Sequence, residues 1–353
     1  MDVKGEWISM ELGVFSFGDV QRTKKGELGP TSEAITNMLE AIQLADKVGL
    51  DFFGVGEHHT EYFPASSPAT ILAAAAATTK NIKLGSAVTV LSTDDPVRTF
   101  QQFSTANIIS GGRVEIIAGR GSSTESFPLF GYHLQDYDQL YSEKLDLLLK
   151  LNELEKNEPI TWEGTFRAPL SNVPIVPQSE DPLKIWLATG GNPDSTIRAA
   201  RLGLPIAYAV IGGRMSRFAP LMELYREAGR QYGTSDKLEI SIASPGFIAE
   251  DAKDAKDTFW KAWGWTMTTL GKVRGFAAPT RAHYDAESNY DGALFAGSPQ
   301  EIADRIIELH KKVGHTRHFF QMDVGQMPHD KFLRSIELLG TEVAPLVRKA
   351  LAK

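Results

Sequence analysis

The sequence predicts a (β/α)8 TIM barrel, an α/β fold in which eight parallel strands are each followed by a helix. Short β-branched or aromatic runs alternate with longer helical patterns along the chain, an order typical of parallel sheets. No change of composition divides these units, and 353 residues lie within the size range of one barrel. We therefore expect a single barrel domain over residues 10–353, preceded by an N-terminal extension over residues 1–9.

The strands are predicted from runs rich in β-branched and aromatic residues. They lie at Leu12–Phe17, Phe52–Val55, Lys83–Val90, Val114–Ala118, Lys184–Ala188, Pro205–Val210, Glu239–Ile248 and Arg317–Asp323. Because helical patterns separate these buried strands, we expect them to pair in parallel.

The helices are predicted from apolar periodicity and from their first residues. Over Ser32–Val48 the apolar positions recur with the 3.6-residue period of a helix, and Gly49 stands where a left-handed residue ends one. A capping residue can satisfy one free N–H of the first turn, and proline at the next position loses no hydrogen bond. Four further helices begin in this way, at Ser67-Pro68, Asp95-Pro96, Asn192-Pro193 and Ser298-Pro299.

Two segments interrupt the alternation of strands and helices. Residues 157–182 are rich in proline, and we expect an excursion from the barrel with a hairpin near residues 162–166. Residues 271–296 lack periodicity and predict a long mobile loop, a kind of segment that often closes over an active site.

Composition excludes several classes of protein. The formal net charge is −7, which argues against a partner that is a nucleic acid or an anionic membrane. The longest largely apolar stretch, Ala69–Ala77, is far short of the roughly 20 residues that a membrane span needs. The absence of cysteine excludes disulfides, thiolate nucleophiles and iron–sulfur clusters. It is compatible with a reducing cytoplasm, which is the location that we expect.

In such a barrel the loops after the strands form the active site. The loop after the fifth predicted strand carries Gly190 and Gly191 before a helix, with Ser195 in its first turn. A glycine-rich turn at a helix N-terminus favours a phosphate, and Arg120 on the neighbouring strand end could add a charged contact. The alternative is an ordinary capped helix after a flexible turn.

Glu57, His58 and His59 follow the second predicted strand and allow three interpretations. They could hold a metal ion, act as a general acid or base with an orienting partner, or be structural. Adjacent residues at a strand end point to opposite faces. The two histidines therefore chelate one ion poorly, and we expect one of them to face the site.

A group of aromatic and sulfur-containing side chains recurs at helical spacing further along the chain. Trp260, Trp263 and Met267 follow this spacing, with Trp265 beside them. They predict core or subunit packing, or alternatively an aromatic wall for an organic ligand.

Short motifs occur along the chain in a characteristic order. They are Glu57-His58-His59, Ala87-Val88, Asp94-Asp95-Pro96-Val97-Arg98, Gly111-Gly112-Arg113-Val114-Glu115, Gly119-Arg120-Gly121, Phe130-Gly131-Tyr132, Thr189-Gly190-Gly191 and Gly203-Leu204-Pro205. Each motif is weak alone. The ordered set resembles the bacterial luciferase-like family of flavin-dependent monooxygenases, in particular its oxidoreductase branch.

The resemblance implies a flavoprotein that binds reduced FMN at the C-terminal face of the barrel. It also implies a separate flavin reductase as supplier, a small organic substrate, and the incorporation of molecular oxygen with paired donors. We expect a homodimer or homotetramer, because many relatives are oligomers.

The resemblance assigns roles to individual residues, with no metal ligand among them. His58 matches the catalytic histidine, and Glu57 and His59 complete its motif. Ala87 and Val88 match a non-proline cis peptide against the flavin ring. On the phosphate side the matching residues are Arg120, Gly190, Gly191 and Ser195. Phe15, Phe17, Phe53 and Phe103 are candidate apolar neighbours of the ring.

The chain departs from the family pattern at two places. Gly119 stands where luciferases have a reactive cysteine, so light emission on an aldehyde is not implied. The 271–296 segment has the position of the family's mobile loop but little of its sequence. Three alternatives stay open: hydride transfer with the deazaflavin F420, a metal-dependent hydrolase that uses Glu57, His58 and His59, and a non-catalytic flavin-binding protein.

Overall fold

The computed structural model describes residues 10–23, 25, 27–121 and 123–352, so the expected N-terminal extension lies outside the described residues. Strands of the described chain, numbered in order, are β1 (Glu11–Ser16), β2 (Phe52–Val55), β3 (Lys83–Ser86), β4 (Thr89–Val90), β5 (Val114–Gly119), β6 (Pro159–Trp162), β7 (Leu170–Pro174), β8 (Lys184–Thr189), β9 (Ile206–Ala209), β10 (Ile240–Ile248), β11 (Phe295–Gly297) and β12 (Arg317–Gln321). Eight of them pair in parallel in the order β1-β2-β3-β5-β8-β9-β10-β12, and β12 pairs back with β1. The predicted (β/α)8 barrel is confirmed.

The helices surround this barrel. They are α1 (Thr31–Lys47), α2 (Pro68–Thr78), α3 (Pro96–Ser110), α4 (Ser126–Phe130), α5 (Tyr137–Glu153), α6 (Pro193–Arg201), α7 (Ala219–Tyr232), α8 (Ala252–Arg274), α9 (Arg281–Glu287), α10 (Pro299–Val313), α11 (His329–Leu338) and α12 (Ala344–Leu351). None of the described helices combines the length and the apolar character that a membrane span requires.

Three of the four predicted caps are confirmed. The side chains of Asp95, Asn192 and Ser298 each accept a backbone N–H from the first turn of α3, α6 and α10. Ser67 precedes α2 but makes no such bond. Its hydroxyl instead lies 2.7 Å from the Thr70 hydroxyl, so this cap prediction was wrong.

The barrel interior is packed rather than hollow. Large side chains such as Phe52, Trp186 and Phe319 fill it and are almost fully buried. At the N-terminal end of the strands the Arg317 guanidinium donates to Glu115 Oε2 at 2.7 Å and also pairs with Glu11. Burial raises the pKa of the Glu115 carboxyl, but Arg317 beside it outweighs burial and holds that pKa below its ordinary value. An ion pair therefore closes the end of the barrel opposite the expected site.

The four phenylalanines considered as neighbours of a ring lie in two different layers. Phe15 and Phe17 belong to the barrel interior. Phe53 and Phe103 belong to the outer core between strands and helices, so the prediction was wrong for those two. Along one strand, alternate side chains point to opposite faces, which separates Phe53 from Phe52.

The proline-rich excursion forms the expected hairpin. β6 and β7 pair antiparallel, and the Glu143 carboxylate on α5 accepts backbone N–H groups from Thr165, Phe166 and Arg167 in their connection. The Arg167 side chain then donates to Asp95 at the start of α3 at 2.9 Å. These bonds fix the hairpin turn against the barrel.

The expectation of an unstructured loop at 271–296 was wrong. The segment contains the last turn of α8, all of α9 and most of β11, which pairs with β10. Tyr284 of α9 is fully buried, and its ring lies 5.3 Å from Trp260 and 5.6 Å from Trp263. The two tryptophans thus serve core packing. A seven-residue helix that buries one side chain has too short an apolar pattern to be read from sequence.

Candidate active site

The two histidines after β2 point to opposite sides of the chain, as expected for adjacent residues at a strand end. His58 Nδ1 lies 2.6 Å from Glu125 Oε1. His59 Nε2 lies 3.1 Å from Glu57 Oε1. The motif is therefore divided, with Glu57 and His59 bonded to each other and His58 bonded to a different carboxylate.

His58 is the better oriented of the two for chemistry with a ligand. Its ring packs against Phe17 and Phe63, with centroid distances of 4.7 and 5.3 Å, and its side chain keeps 16% exposure. Partial burial raises the pKa of the Glu125 carboxyl, but His58 together with backbone N–H groups outweighs burial and holds that pKa below its ordinary value. Because an ionised carboxylate only accepts, Nδ1 carries the hydrogen and Nε2 is left as the basic nitrogen.

Glu125 was missed by the sequence analysis. It lies in the loop after β5, 67 residues from His58, and is the first acidic residue after Gly119. A lone carboxylate in a loop at the C-terminal end of a barrel strand was the available signal. Only the closed barrel shows that this loop reaches the β2 end.

Glu57 has a structural bond in addition to its contact with His59. Its Oε2 accepts the backbone N–H of Val90 at 2.8 Å, and its side chain is 7% exposed. Glu57 thereby ties the short strand β4 to the end of β2. The predicted continuous strand Lys83–Val90 is in fact two strands with a break at Ala87 and Val88.

The peptide bond between Ala87 and Val88 is cis, as the resemblance implied. Glycines on the neighbouring strands make room for it. A Cβ atom at Gly54 would lie 2.7 Å from Ala87 Cβ, and one at Gly119 would lie 2.5 Å from Val88 Cγ2. Gly119, which differs from the luciferase cysteine, is thus a position where a side chain would displace Val88.

Short apolar side chains form the floor of the barrel mouth. Val88 and Ala188 pack on the interior cluster together with Ala87, Ala207 and Ala243. Because these side chains are short, they leave an apolar surface on which a flat aromatic ring can lie. The floor and His58 fit a flavin or deazaflavin ring.

The proposed phosphate loop lies beside Arg120. Ala118 of β5 pairs with Leu187 of β8, which places the ends of these strands next to each other. A Cβ atom at Gly190 would meet nothing within 4 Å, so open space adjoins the loop. Part of its donor set is already used, because Thr189 Oγ1 accepts from Gly191 N and Asn192 Oδ1 accepts from Ser195 N.

Arg120 already has an anionic partner. Its Nη1 lies 2.5 Å from Asp138 Oδ1, and its Cζ lies 5.3 Å from the Tyr137 ring centroid. The Arg120 side chain is 27% exposed and that of Asp138 is 73% exposed. A phosphate that approaches Arg120 would compete with an exposed carboxylate rather than with a buried one.

The metal-site interpretation has no geometric support. Within the described ranges, no group of three or more histidine, aspartate or glutamate side chains is arranged to hold a metal ion. His58 and His59 bond to different carboxylates on opposite sides. The arrangement suits proton transfer by His58 beside an apolar floor better than chelation.

Comparison with known sequences agrees with the motifs. A family model described as luciferase-like monooxygenase matches residues 10–316. The chain is also 24% identical to the oxygenase component of the flavin-dependent trigonelline monooxygenase of Acinetobacter baylyi. That match extends over 332 residues and covers 87% of this chain and 88% of the relative.

Two solved structures show the same fold. The oxygenating constituent of 3,6-diketocamphane monooxygenase of Pseudomonas putida, in complex with FMN, has a TM-score of 0.75 at 19% identity. That match covers 96% of this chain and 98% of the other. The F420-dependent tetrahydromethanopterin reductase of Methanopyrus kandleri has a TM-score of 0.73 at 19% identity, with 96% and 99% covered.

Proposed function

The chain belongs to the luciferase-like monooxygenase family, and on that basis we propose that it is a monooxygenase that uses reduced FMN and O2 on a small organic substrate. The observation that carries the proposal is the His58–Glu125 pair beside the apolar floor of the barrel mouth. A histidine whose Nδ1 is held by a carboxylate has a fixed orientation and presents Nε2 to a ligand.

In this proposal each group has a defined task. Val88 and Ala188 support the flavin ring, and Phe17 and Phe63 keep water from the His58 side. When bound, reduced FMN supplies the electrons that activate O2. His58 Nε2 takes a proton and returns it, while Glu125 stabilises the imidazolium that forms.

We assign the phosphate to the edge formed by Arg120, Gly190, Gly191 and Ser195. Arg120 contributes charge, and the open space beside Gly190 allows close approach of the ligand. Glu57 and His59 support the site from the other side of β2, where Glu57 holds β4 in place.

We further propose a flavin reductase as the source of reduced FMN and a homo-oligomer as the working form. Exposed apolar side chains support the oligomer, since Ile108 and Ile109 on α3 and Leu129 and Phe130 on α4 are each about half exposed. Hydride transfer with F420 is the second candidate, favoured by the shared fold of the F420-dependent reductase.

Titration and oxygen uptake test the proposal. Absorbance titration of the purified protein with FMN, riboflavin and F420 identifies the ring that binds. We expect saturable binding of FMN, and oxygen uptake with reduced FMN that depends on a substrate from a panel of small organic compounds. Saturable binding of F420 but not of FMN would replace the first candidate by the second, and binding of neither would refute both.

The variant His58→Ala tests the proton-transfer role. We expect FMN affinity near that of the unaltered protein, with turnover reduced roughly 10²–10⁴-fold, the usual contribution of a general acid or base. His133→Ala is the matched control, because His133 is exposed. Unchanged turnover in His58→Ala would remove His58 from its role.

A further inference from the structure

One face of α5 lies against the end of β5, where the proposed phosphate edge begins. Tyr137, Tyr141 and Lys144 occupy positions i, i+4 and i+7 of this helix, so their side chains lie on the same face. Tyr141 and Lys144 are almost fully buried. We call these three residues the α5 stripe. None of them has a role in the proposed function as stated above.

The two tyrosine hydroxyls of the α5 stripe hold the β5 end on both sides of Arg120. Tyr141 Oη donates to the Ala118 carbonyl at 3.2 Å, and Tyr137 Oη donates to the Gly121 carbonyl at 2.5 Å. A backbone carbonyl only accepts, so the direction of both hydrogen bonds is fixed. The backbone around Arg120 is therefore attached to α5 at two points.

Lys144 holds Arg120 from a third direction, through Ser92. Lys144 Nζ donates to the Ser92 carbonyl at 2.8 Å, and Ser92 Oγ donates to the Arg120 carbonyl at 3.1 Å. The ammonium also lies 3.8 Å from the centroid of the Tyr132 ring. Lysine is seldom fully buried unless it is paired. Here the buried ammonium has two partners, and one of them leads directly to Arg120.

The rings of the two tyrosines contact arginines on both sides of the phosphate edge. Arg120 Cζ lies 5.3 Å from the Tyr137 ring centroid. Arg198 of α6, the helix that follows the glycine-rich loop, has its Cζ 5.8 Å from the Tyr141 ring centroid. A guanidinium over an aromatic face is attracted to it. The α5 stripe therefore joins the two elements that carry the proposed phosphate contacts.

These contacts fix a position rather than add charge to the site. Burial lowers the pKa of Lys144 to about 8, and the charges of Asp94 and Asp95 oppose that shift. These carboxylates offset the charge of Lys144. A paired contact between a guanidinium and a phosphate depends on geometry, and such a side chain stays in place only when its neighbours hold it. Arg120 has that support from α5.

We propose that Tyr137, Tyr141 and Lys144 are positioning residues that act through Arg120 and determine the preference for FMN over riboflavin. The inference rests on the proposed function, because it concerns the same phosphate edge, and it deepens that function by naming the residues that hold the phosphate-binding arginine.

Fluorescence titration of the full chain with FMN and with riboflavin tests the proposal, at about pH 7, where Lys144 is protonated. Tyr137→Phe keeps the ring beside the Arg120 guanidinium and removes only the hydroxyl. We expect FMN binding to weaken about three- to tenfold, the usual effect of one lost hydrogen bond. Riboflavin binding should stay unchanged, because riboflavin carries no phosphate. Tyr141→Phe should act in the same direction.

Lys144→Met keeps an unbranched apolar chain but removes the ammonium. It should weaken FMN binding at least about tenfold and leave riboflavin binding unchanged, since both contacts of the charged group are lost. The matched controls are Tyr232→Phe and Lys150→Met, at an exposed tyrosine of α7 and an exposed lysine of α5. Both should leave the ratio of the two affinities unchanged.

A double variant shows whether the α5 stripe acts through Arg120. Once Arg120→Ala has removed the guanidinium, adding Tyr137→Phe should cause no further loss of FMN affinity, because residues that act as one unit are not additive. A merely structural role of Tyr137 would lower the affinity for both flavins in either background.

Three results would overturn the proposal: equal weakening for FMN and riboflavin, an unchanged affinity ratio in Tyr137→Phe and Lys144→Met with native circular dichroism spectra, or additive losses in the double variant. Each of them leaves FMN binding by the unaltered protein, and with it the proposed function, in place. Absence of FMN binding by the unaltered protein would instead refute the proposed function and this inference together.

Discussion

At the scale of residues, the different roles of the adjacent His58 and His59 depend on their hydrogen-bond partners. His58 bonds to Glu125 at 2.6 Å and faces the mouth, whereas His59 bonds to Glu57. A carboxylate on Nδ1 fixes the ring orientation and stabilises the protonated imidazole. Glu125 is therefore a positioning residue that acts through His58.

Glu125→Gln tests this positioning role. The amide keeps an acceptor for Nδ1 but loses the charge, so turnover should fall about 10–100-fold, as is usual for outer partners of a functional histidine. Affinity for FMN should stay unchanged in an absorbance titration, since Glu125 does not belong to the proposed flavin contacts. Glu61→Gln is the control. A loss of flavin affinity instead of turnover would assign Glu125 to binding.

The ion pair between Arg120 and Asp138 leads to a second prediction about single residues, which concerns the FMN phosphate. Arg120→Ala should weaken FMN binding more than riboflavin binding, because only FMN carries the phosphate. Asp138→Asn should tighten FMN binding a few-fold, since an exposed ion pair is worth only about 0–1 kcal/mol and its loss frees Arg120. Fluorescence titration measures both ligands. Equal changes for FMN and riboflavin would show that Arg120 does not contact the phosphate.

At the scale of elements, the helix starts show which local signals are reliable. Ser298 caps α10 with a reciprocal bond to Glu301, whereas Ser67 before α2 bonds to a neighbouring hydroxyl instead. Both are followed by proline and have the same local pattern. The difference lies in the third position of the helix, where α10 has a glutamate and α2 has Thr70.

This pair of helices gives a matched prediction. Ser298→Ala should lower the free energy of unfolding by about 1 kcal/mol, the usual value of a cap. Ser67→Ala should change it by much less, because no N–H loses its partner. Urea denaturation followed by circular dichroism compares the two. Equal destabilisation would mean that the serine before α2 also caps in solution.

At the scale of the whole molecule, buried titratable groups link stability to pH. His315 and His318 are fully buried between the barrel and α10. Burial lowers the pKa of His318 to about 3, and burial, with the neighbouring His318 and His310, lowers the pKa of His315 well below its ordinary value. In the unfolded chain both regain a pKa near 6.5. Their contribution to stability is therefore complete above that pH and is lost as the pH falls from about 6.5 toward 3.

Two buried aspartates, Asp19 and Asp323, change stability with pH in the opposite direction. Burial raises the pKa of Asp323 to about 6 and that of Asp19 well above its ordinary value. These carboxyls stabilise the fold at low pH and lose that contribution as the pH rises through the folded pKa. The measured pH profile is the sum of both pairs, so only a variant isolates one of them.

His318→Gln isolates the histidine contribution. Glutamine keeps a polar group near the Ser244 hydroxyl, which lies 2.8 Å from His318 Nε2, but does not titrate. The fall in the free energy of unfolding between about pH 6 and pH 4 should become shallower, by up to about 1.4 kcal/mol per pH unit. His133→Gln should leave the slope unchanged. An unaltered slope in His318→Gln would show that His318 does not control acid stability.

Local patterns in the sequence determined the architecture of this protein. The positions of the barrel strands and of most helices, the hairpin of the excursion and three of the four caps follow from periodicity, turn residues and capping side chains. These signals extend over a few neighbouring residues, so they can be recognised without knowledge of the fold. The divergence of His58 and His59 was predictable for the same reason, since it depends only on strand geometry.

The tertiary structure alone decided the partners of the site residues and the packing of the 271–296 segment. Glu125 meets His58 because barrel closure brings two distant loops together, Asp138 of α5 meets Arg120 at the end of β5, and Tyr284 of α9 packs back on Trp263 of α8. None of these pairs produces a periodic pattern in the sequence. Each depends on a contact between segments whose separation in sequence is unrelated to their distance in space.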